Sequence, residues 1–125
     1  MGDFIRKARS YYIAGEIAER NRDFDVASSN YFKSLAAIND FVLSKEGLFP
    51  KDHNERFNML KEKFQELYRI TSSLFLTYRR AYTSDISKEE ISVLKEKIKG
   101  AFKNARIAIP TDFEVEKYIK EAHKG

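Results

Sequence analysis

The segment from Tyr78 to Tyr82 carries the residue types best suited to hold a phosphate or a nucleic-acid base. Tyr78 and Tyr82 are four residues apart and share one face of a helix. Arg79 and Arg80 project to the sides of that face. Guanidinium groups bind phosphate oxygens, and aromatic rings stack on bases. A structural alternative stays open: the tyrosines form an aromatic edge of the core, and the arginines pair with acids across the protein.

The two histidines are the next candidates, because only this side chain titrates near neutral pH without help. His53 follows Asp52 and lies within reach of Arg56 on a helical segment. A catalytic base needs a nucleophile or an orienting acid that converges on it from elsewhere in the fold, and the sequence shows none for His53. A surface or capping role and a ligand-binding role for His53 and Arg56 both stay open. We expect no function for His123, near the end of the sequence.

Several kinds of chemistry are excluded by composition and spacing. The absence of cysteine rules out disulfides, thiolate metal sites and a cysteine nucleophile. The sequence has no His-Glu-x-x-His or Glu-x-x-His pattern of metal ligands, and it has no Walker, Rossmann or Gly-x-Ser-x-Gly motif. Carboxylate pairs such as Glu89 and Glu90 stand at predicted helix starts, where the helix dipole favours acids. We expect no metal and no cofactor.

Charge and hydropathy indicate the setting of the protein. The net charge of +4 and the sequence pI of about 9.2 favour polyanions only weakly. No apolar run approaches the roughly 20 residues that span a bilayer, so we expect no membrane association. With no cysteine and no secretory signal in the first residues, a cytoplasmic location is the simplest expectation.

Helical periodicity in the first third of the chain predicts the first pair of helices. Apolar residues recur at intervals of three and four from Phe4 to about Arg20, and again from Ala27 to about Lys45. The polar segment 21–25 between them predicts a tight turn and a helix N-cap. The two helices, about 4–45, should form an antiparallel hairpin. Gly47 is expected to end the second helix in the left-handed conformation, since Pro50 prevents its continuation.

The rest of the chain predicts three or four further helices. The stripe over about 53–82 contains no Gly or Pro, so it fits either one long helix or two helices with a kink near Gln65. Two capping pairs, Ser87 with Glu90 and Thr111 with Glu114, then predict helices over about 88–106 and 112–122. No segment alternates as a strand does. The expected fold is all-α: a single domain, 1–125, forming an antiparallel up-and-down bundle of five or six helices.

The order of several local features resembles the HEPN superfamily, small helical-bundle proteins of archaea and bacteria. The features are Ala18 to Ala27 with the turn Arg22-Asp23-Phe24-Asp25, then Tyr31 and Leu35, then Asp52-His53, Arg56-Phe57 and Leu60 after Pro50, and finally Tyr78 to Tyr82. The resemblance covers roughly residues 8–105. It implies a helical bundle, commonly a homodimer, often with a nucleotidyltransferase partner in toxin-antitoxin or defence systems.

The sequence departs from the family at the residues that carry catalysis. Active members are metal-independent ribonucleases with an arginine followed four to six residues later by histidine. Arg79 and Arg80 occupy a comparable place, but no histidine follows before His123. The resemblance therefore transfers Arg79 or Arg80 as ligand contacts only, and no catalytic pair.

Three functional hypotheses follow from these residues. The first is a non-catalytic, dimeric binding module that recognises a nucleotide, RNA or a partner protein through Tyr78 to Tyr82. The second is a metal-independent ribonuclease with a non-standard site, in which His53 or Tyr82 approaches Arg80 across a dimer. The third is a structural adaptor that holds a partner helix in the groove of the first hairpin.

Overall fold

The structure is a computed structural model that describes the backbone of residues 2–124 and the side chains of residues 2–123. Within that range it contains six helices and no strand, which confirms the all-α class. The helices are α1 (Gly2–Arg20), α2 (Phe24–Ser44), α3 (His53–Lys63), α4 (Gln65–Arg80), α5 (Lys88–Ala105) and α6 (Asp112–Lys124). Met1 and Gly125, which the single-domain prediction includes, lie outside the described residues.

The α1–α2 hairpin forms as expected, and the glycine in α1 explains how closely its helices approach. A Cβ atom on Gly15 would lie 2.5 Å from Cδ1 of Tyr31, so the tyrosine ring lies directly against the α1 backbone. Further along, the Ser34 hydroxyl donates to the Ala8 carbonyl at 2.6 Å. Later residues of α2 thus meet earlier residues of α1, so the pair is antiparallel.

The end of α2 matches the expectation, whereas the turn before α2 is closed in a different way from the one expected. Gly47 adopts the predicted left-handed conformation, with φ 74°. Asp23 is the N-cap residue of α2, but its side chain makes no capping hydrogen bond. The turn before it is closed by backbone bonds instead, with Arg22 at φ 61° and the Asp23 amide donating to the Ala18 carbonyl at 2.9 Å.

The segment 53–82 is two helices, and the chain reverses between them rather than kinking. Phe64 has φ −137° and ψ 73°, outside the helical region. The rings of Phe57 and Phe75 are 5.2 Å apart, whereas one continuous helix would separate these residues by about 27 Å. Folding back lets both amphipathic helices bury their apolar sides against α2, which contacts each of them.

One cluster of buried apolar side chains connects α1 to α5. Tyr12 of α1 packs edge-on against Phe102 of α5 at 5.4 Å, and both are almost fully buried. Helix α5 therefore lies against one face of the first hairpin. Helix α6 is fixed to α1 at the edge of this core, where Arg9 donates to both carboxylate oxygens of Glu114 at 2.7 Å.

Candidate functional site

Aromatic rings from α2 and α4 form the base of the candidate site. Phe32 and Tyr78 stack almost parallel, with centroids 4.4 Å apart and an interplanar angle of 13°. Phe75 contacts both rings, at 5.7 Å from Phe32 and 6.2 Å from Tyr78. Phe32 is buried, while the other two rings are partly exposed. The core thus extends to the surface here as a continuous aromatic wall.

His53 lies at the edge of this wall. Its ring meets Phe32, Phe75 and Tyr78 at centroid distances of 5.8, 6.0 and 6.2 Å. Arg56 donates to its Nδ1 at 2.8 Å, a contact that requires an unprotonated Nδ1. Burial and the Arg56 charge lower the pKa of His53 from its ordinary value of 6.5, against a smaller opposing effect of Asp40 and Asp52. At neutral pH the imidazole is therefore uncharged and offers its Nε2–H.

The guanidinium group of Arg56 is held in place by the carboxylate of Asp40. Its Nε and Nη2 donate to the two carboxylate oxygens of Asp40 at 2.8 and 3.1 Å, and only 12% of the Arg56 side chain is exposed. This bidentate pair fixes the guanidinium plane. Arg56, predicted as a ligand contact, is thus paired with Asp40 and at the same time orients His53.

Tyr82 is the most exposed ring of the cluster, with 70% of its surface accessible. Its hydroxyl lies 3.0 Å from the Tyr78 hydroxyl, and the two rings meet edge to face at 5.6 Å. The hydrogen bond with Tyr82, together with burial, raises the pKa of Tyr78 to about 12. The Tyr78 phenol is thus neutral at physiological pH, and the exposed ring of Tyr82 is available for stacking.

The two arginines between these tyrosines have different surroundings. Arg80 forms an ion pair with Glu90 of α5. The guanidinium carbon of Arg79 lies 5.9 Å from the centre of the Phe75 ring, and Arg79 forms no ion pair with any described residue. The structural alternative therefore holds for Arg80, whereas Arg79 adds an exposed cation to the aromatic wall.

Comparisons with known proteins add no family or relative to this geometry. A scan against models of protein families, a search of curated proteins and a search of solved structures each found no match. The resemblance to the HEPN superfamily therefore rests on the residues quoted for it.

Five of the six residues singled out from the sequence gather at one place, around Phe75. They are His53, Arg56, Tyr78, Arg79 and Tyr82. Arg80 points away toward α5. The sequence reasoning missed Phe32, Phe75 and Asp40. Phe32 and Phe75 each directly follow a residue of a predicted apolar stripe, Tyr31 and Leu74. Drawing each stripe one residue wider would have included both rings.

A second group of polar side chains, also missed, lies inside the bundle between α1, α2 and α5. Tyr31 donates to Glu19 at 2.7 Å, and Lys95 lies 2.8 Å from Glu16, which is 7% exposed. Burial and the Glu19 hydrogen bond raise the pKa of Tyr31 far above its ordinary value. These groups satisfy one another, so they join three helices rather than offer a site.

Other features of the described residues do not extend the candidate site. A surface groove of about 510 Å³ lies between α1 and α6 and shares no residue with the aromatic wall. Its Arg9 and Glu114 already bind each other. Within residues 2–124, no three His, Asp or Glu side chains are grouped as metal ligands. No described helix is long and apolar enough to cross a membrane.

Proposed function

We propose that the protein is a non-catalytic, HEPN-like binding module that holds single-stranded RNA or a nucleotide on the aromatic wall of α2 and α4. The observation that carries this proposal is that an exposed ring, Tyr82, lies on the same stretch of chain as an exposed cation, Arg79, which has no acid partner among the described residues. A base stacks on the ring, and the guanidinium group binds the adjacent phosphate.

Contacts that hold the side chains of this surface in place also support the proposed binding site. Tyr82 is positioned by its hydroxyl contact with Tyr78, which is itself stacked on the buried Phe32. His53, fixed by Arg56, presents a neutral N–H beside them. Binding therefore loses less side-chain conformational entropy here than it would on a flexible surface.

Alanine substitutions at Tyr82 and Arg79 test the proposal. Stacking on one ring is worth about 1–3 kcal/mol, so we expect Tyr82→Ala to weaken binding of a fluorescent single-stranded RNA roughly tenfold. Arg79→Ala should lower the salt dependence of the binding constant by about 0.7 in logarithmic slope, the contribution of one phosphate. Fluorescence anisotropy at several salt concentrations measures both effects.

The chain offers matched controls for these variants. Tyr82→Phe keeps the ring and should keep most of the affinity. Arg80→Ala removes an equal charge that is already paired with Glu90, so it should change the salt slope less than Arg79→Ala does. Wild-type protein that binds neither RNA nor nucleotides, or equal effects at the two arginines, would reject this site.

A metal-independent ribonuclease remains the second candidate, because the structure brings a histidine and an arginine, His53 and Arg56, to 2.8 Å. It predicts RNA cleavage in the presence of a chelator and loss of cleavage in His53→Ala. The geometry favours binding over catalysis, since the lone pair of Nδ1 is already engaged by Arg56 and the ring is not charged at neutral pH.

The cellular role belongs to the same proposal and rests on the family resemblance. A HEPN-like module in a toxin-antitoxin or defence system is expected to act with a nucleotidyltransferase partner in the cytoplasm. Co-purification of the tagged protein from its own cells tests this. Recovery of a nucleotidyltransferase supports the role, and recovery of only unrelated proteins rejects it.

A further inference from the structure

We propose that the outer face of α5 is a self-association surface, on which α5 of a second copy of this chain lies antiparallel. The outer face consists of the exposed or partly exposed residues Glu89, Glu90, Val93, Glu96, Lys97, Gly100, Lys103 and Asn104. The inference uses none of the residues of the proposed RNA site, so each can fail without the other.

The centre of this face combines an exposed apolar side chain with a gap. Val93 is 56% exposed although it lies in the middle of a helix. Gly100, seven residues later and on the same side of α5, has open space where a Cβ atom would stand. Glycine in a helix costs up to about 1 kcal/mol relative to alanine, and no contact within the chain requires it at this position. Val93 offers a knob and Gly100 the hole that would receive it.

Symmetry shows what partner fits this pattern. When a two-fold axis relates two antiparallel helices, the numbers of facing residues have a constant sum. An axis between Glu96 and Lys97 places Val93 of one copy against Gly100 of the other, and Gly100 against Val93. The same two-fold operation therefore places each Val93 in the gap at Gly100 of the other copy. A second copy of this chain is thus a partner that fits the face.

The charges on the face are complementary under the same operation. Glu96 faces Lys97 of the second copy, and Glu90 faces its Lys103. Opposite charges therefore meet in four places, since each pair occurs twice. Glu89 faces Asn104, so no like charges are opposed. This match in both shape and charge follows from one choice of axis.

Within its own chain Glu90 pairs with Arg80 and accepts from the Ser87 amide at 3.2 Å, so its carboxylate is shared between those groups and Lys103 of the second copy. The other charged residues of the face make weaker contacts that leave it available. Glu96 pairs with Lys99 at 3.4 Å, and Lys97 donates to Ser73 at 3.3 Å, both at exposed positions. Such contacts are weak and exchange readily with solvent. Two shallow grooves of about 350 and 460 Å³ lie between α4 and α5 beside Val93 and Gly100, and they give the second helix a concave seat.

Charge reversal tests the pairing. E96K places two lysines opposite each other, and K97E places two glutamates there. In sedimentation velocity over micromolar to near-millimolar protein, we expect each single variant to raise the dimer dissociation constant roughly tenfold. The double variant E96K/K97E restores opposite charges and should return the constant to within about threefold of the wild-type value.

Two substitutions at Gly100 separate loss of the dimer from loss of the fold. Gly100→Leu fills the hole and should abolish the dimer. Because its side chain enters open space, its thermal midpoint as a monomer should not fall. Gly100→Ala should weaken the dimer less than Gly100→Leu.

The adjacent exposed residues Glu62 and Lys63 of α3 provide the matched charge control. E62K and K63E change the net charge as E96K and K97E do, and they should leave the dissociation constant unchanged. A wild-type protein that stays monomeric throughout overturns the proposal and leaves the face to a partner of another kind. A dimer that tolerates Gly100→Leu and both single reversals overturns it as well, because the interface then lies elsewhere. RNA affinity of the Gly100→Leu monomer, measured in parallel, reports on the proposed function alone.

Discussion

Arg79 and Arg80 are neighbours in the chain, yet their guanidinium groups face different surroundings. Successive residues on a helix are about 100° apart, so only one of them reaches across to Glu90 of α5. The other lies along α4 over the Phe75 ring. The structural interpretation therefore applies to Arg80, and the functional interpretation of Arg79 stays a prediction.

His53 should make the stability of the protein depend on pH. Its pKa is lower in the folded protein than its ordinary value of 6.5, so below pH 6.5 the unfolded chain binds more protons than the folded one. Stability should be full above pH 6.5 and fall as the pH drops through the folded pKa. Urea denaturation at a series of pH values should show a smaller loss in His53→Gln than in wild type.

NMR titration of the His53 ring measures directly the lowered pKa that causes this pH dependence. Arg56→Met removes a nearby positive charge and leaves Asp40 close by, so the pKa of His53 should rise. A pKa of His53 at or above 6.5 in the wild-type protein would contradict the arrangement described.

At the scale of helices, the same residue type has opposite consequences at two positions. Gly15 of α1 lies against the ring of Tyr31, whereas Gly100 of α5 faces open space. The first glycine allows two helices to touch, and its position explains why Tyr31 reaches Glu19 across α1. The second serves no contact within the chain.

Alanine at these two glycines should therefore change stability in opposite directions. Gly15→Ala gains up to about 1 kcal/mol of helix propensity but must displace a buried ring, and overpacking costs about 1–3 kcal/mol. We expect a net loss. Gly100→Ala should stabilise the monomer by about 0.5–1 kcal/mol. Chemical denaturation of both variants at low protein concentration measures the difference, and a stabilised Gly15→Ala would show that α1 and α2 are less closely packed.

The whole molecule is built around α2, which contacts α1, α3, α4 and α5. Helix α6, in contrast, contacts α1 and is held by the buried side chain of Val115 together with ion pairs of Arg9 and Arg20 with its acids. Partly exposed ion pairs contribute little and weaken with salt. Cohesion is therefore greatest at the centre of the bundle and least at α6.

Native-state hydrogen exchange should follow that gradient. Amides in the middle of α2 should exchange only by global unfolding, while those of α6 should exchange by local opening at a lower free energy. Added salt should speed exchange in α6 more than in α2. Equal protection of α2 and α6 would show that α6 unfolds together with the rest.

The sequence by itself determined the helices, because their signals are local. Periodicity, the pair Ser87 and Glu90, and the glycine at position 47 act within a few residues, and each appears in the structure as predicted. The group of candidate site residues was also visible, since His53 and Tyr78 to Tyr82 are unusual in type and spacing. The homodimer, the ligand and the HEPN relationship stay predictions.

Only the tertiary structure decided how these helices meet. No glycine or proline lies beside Phe64 to predict the reversal there. The reversal arises because α3 and α4 both bury an apolar side against α2. That reversal brings His53 beside Tyr78. The contacts of Arg80 with Glu90 and of Arg56 with Asp40 likewise join residues from different helices, at distances that no local pattern of side chains encodes.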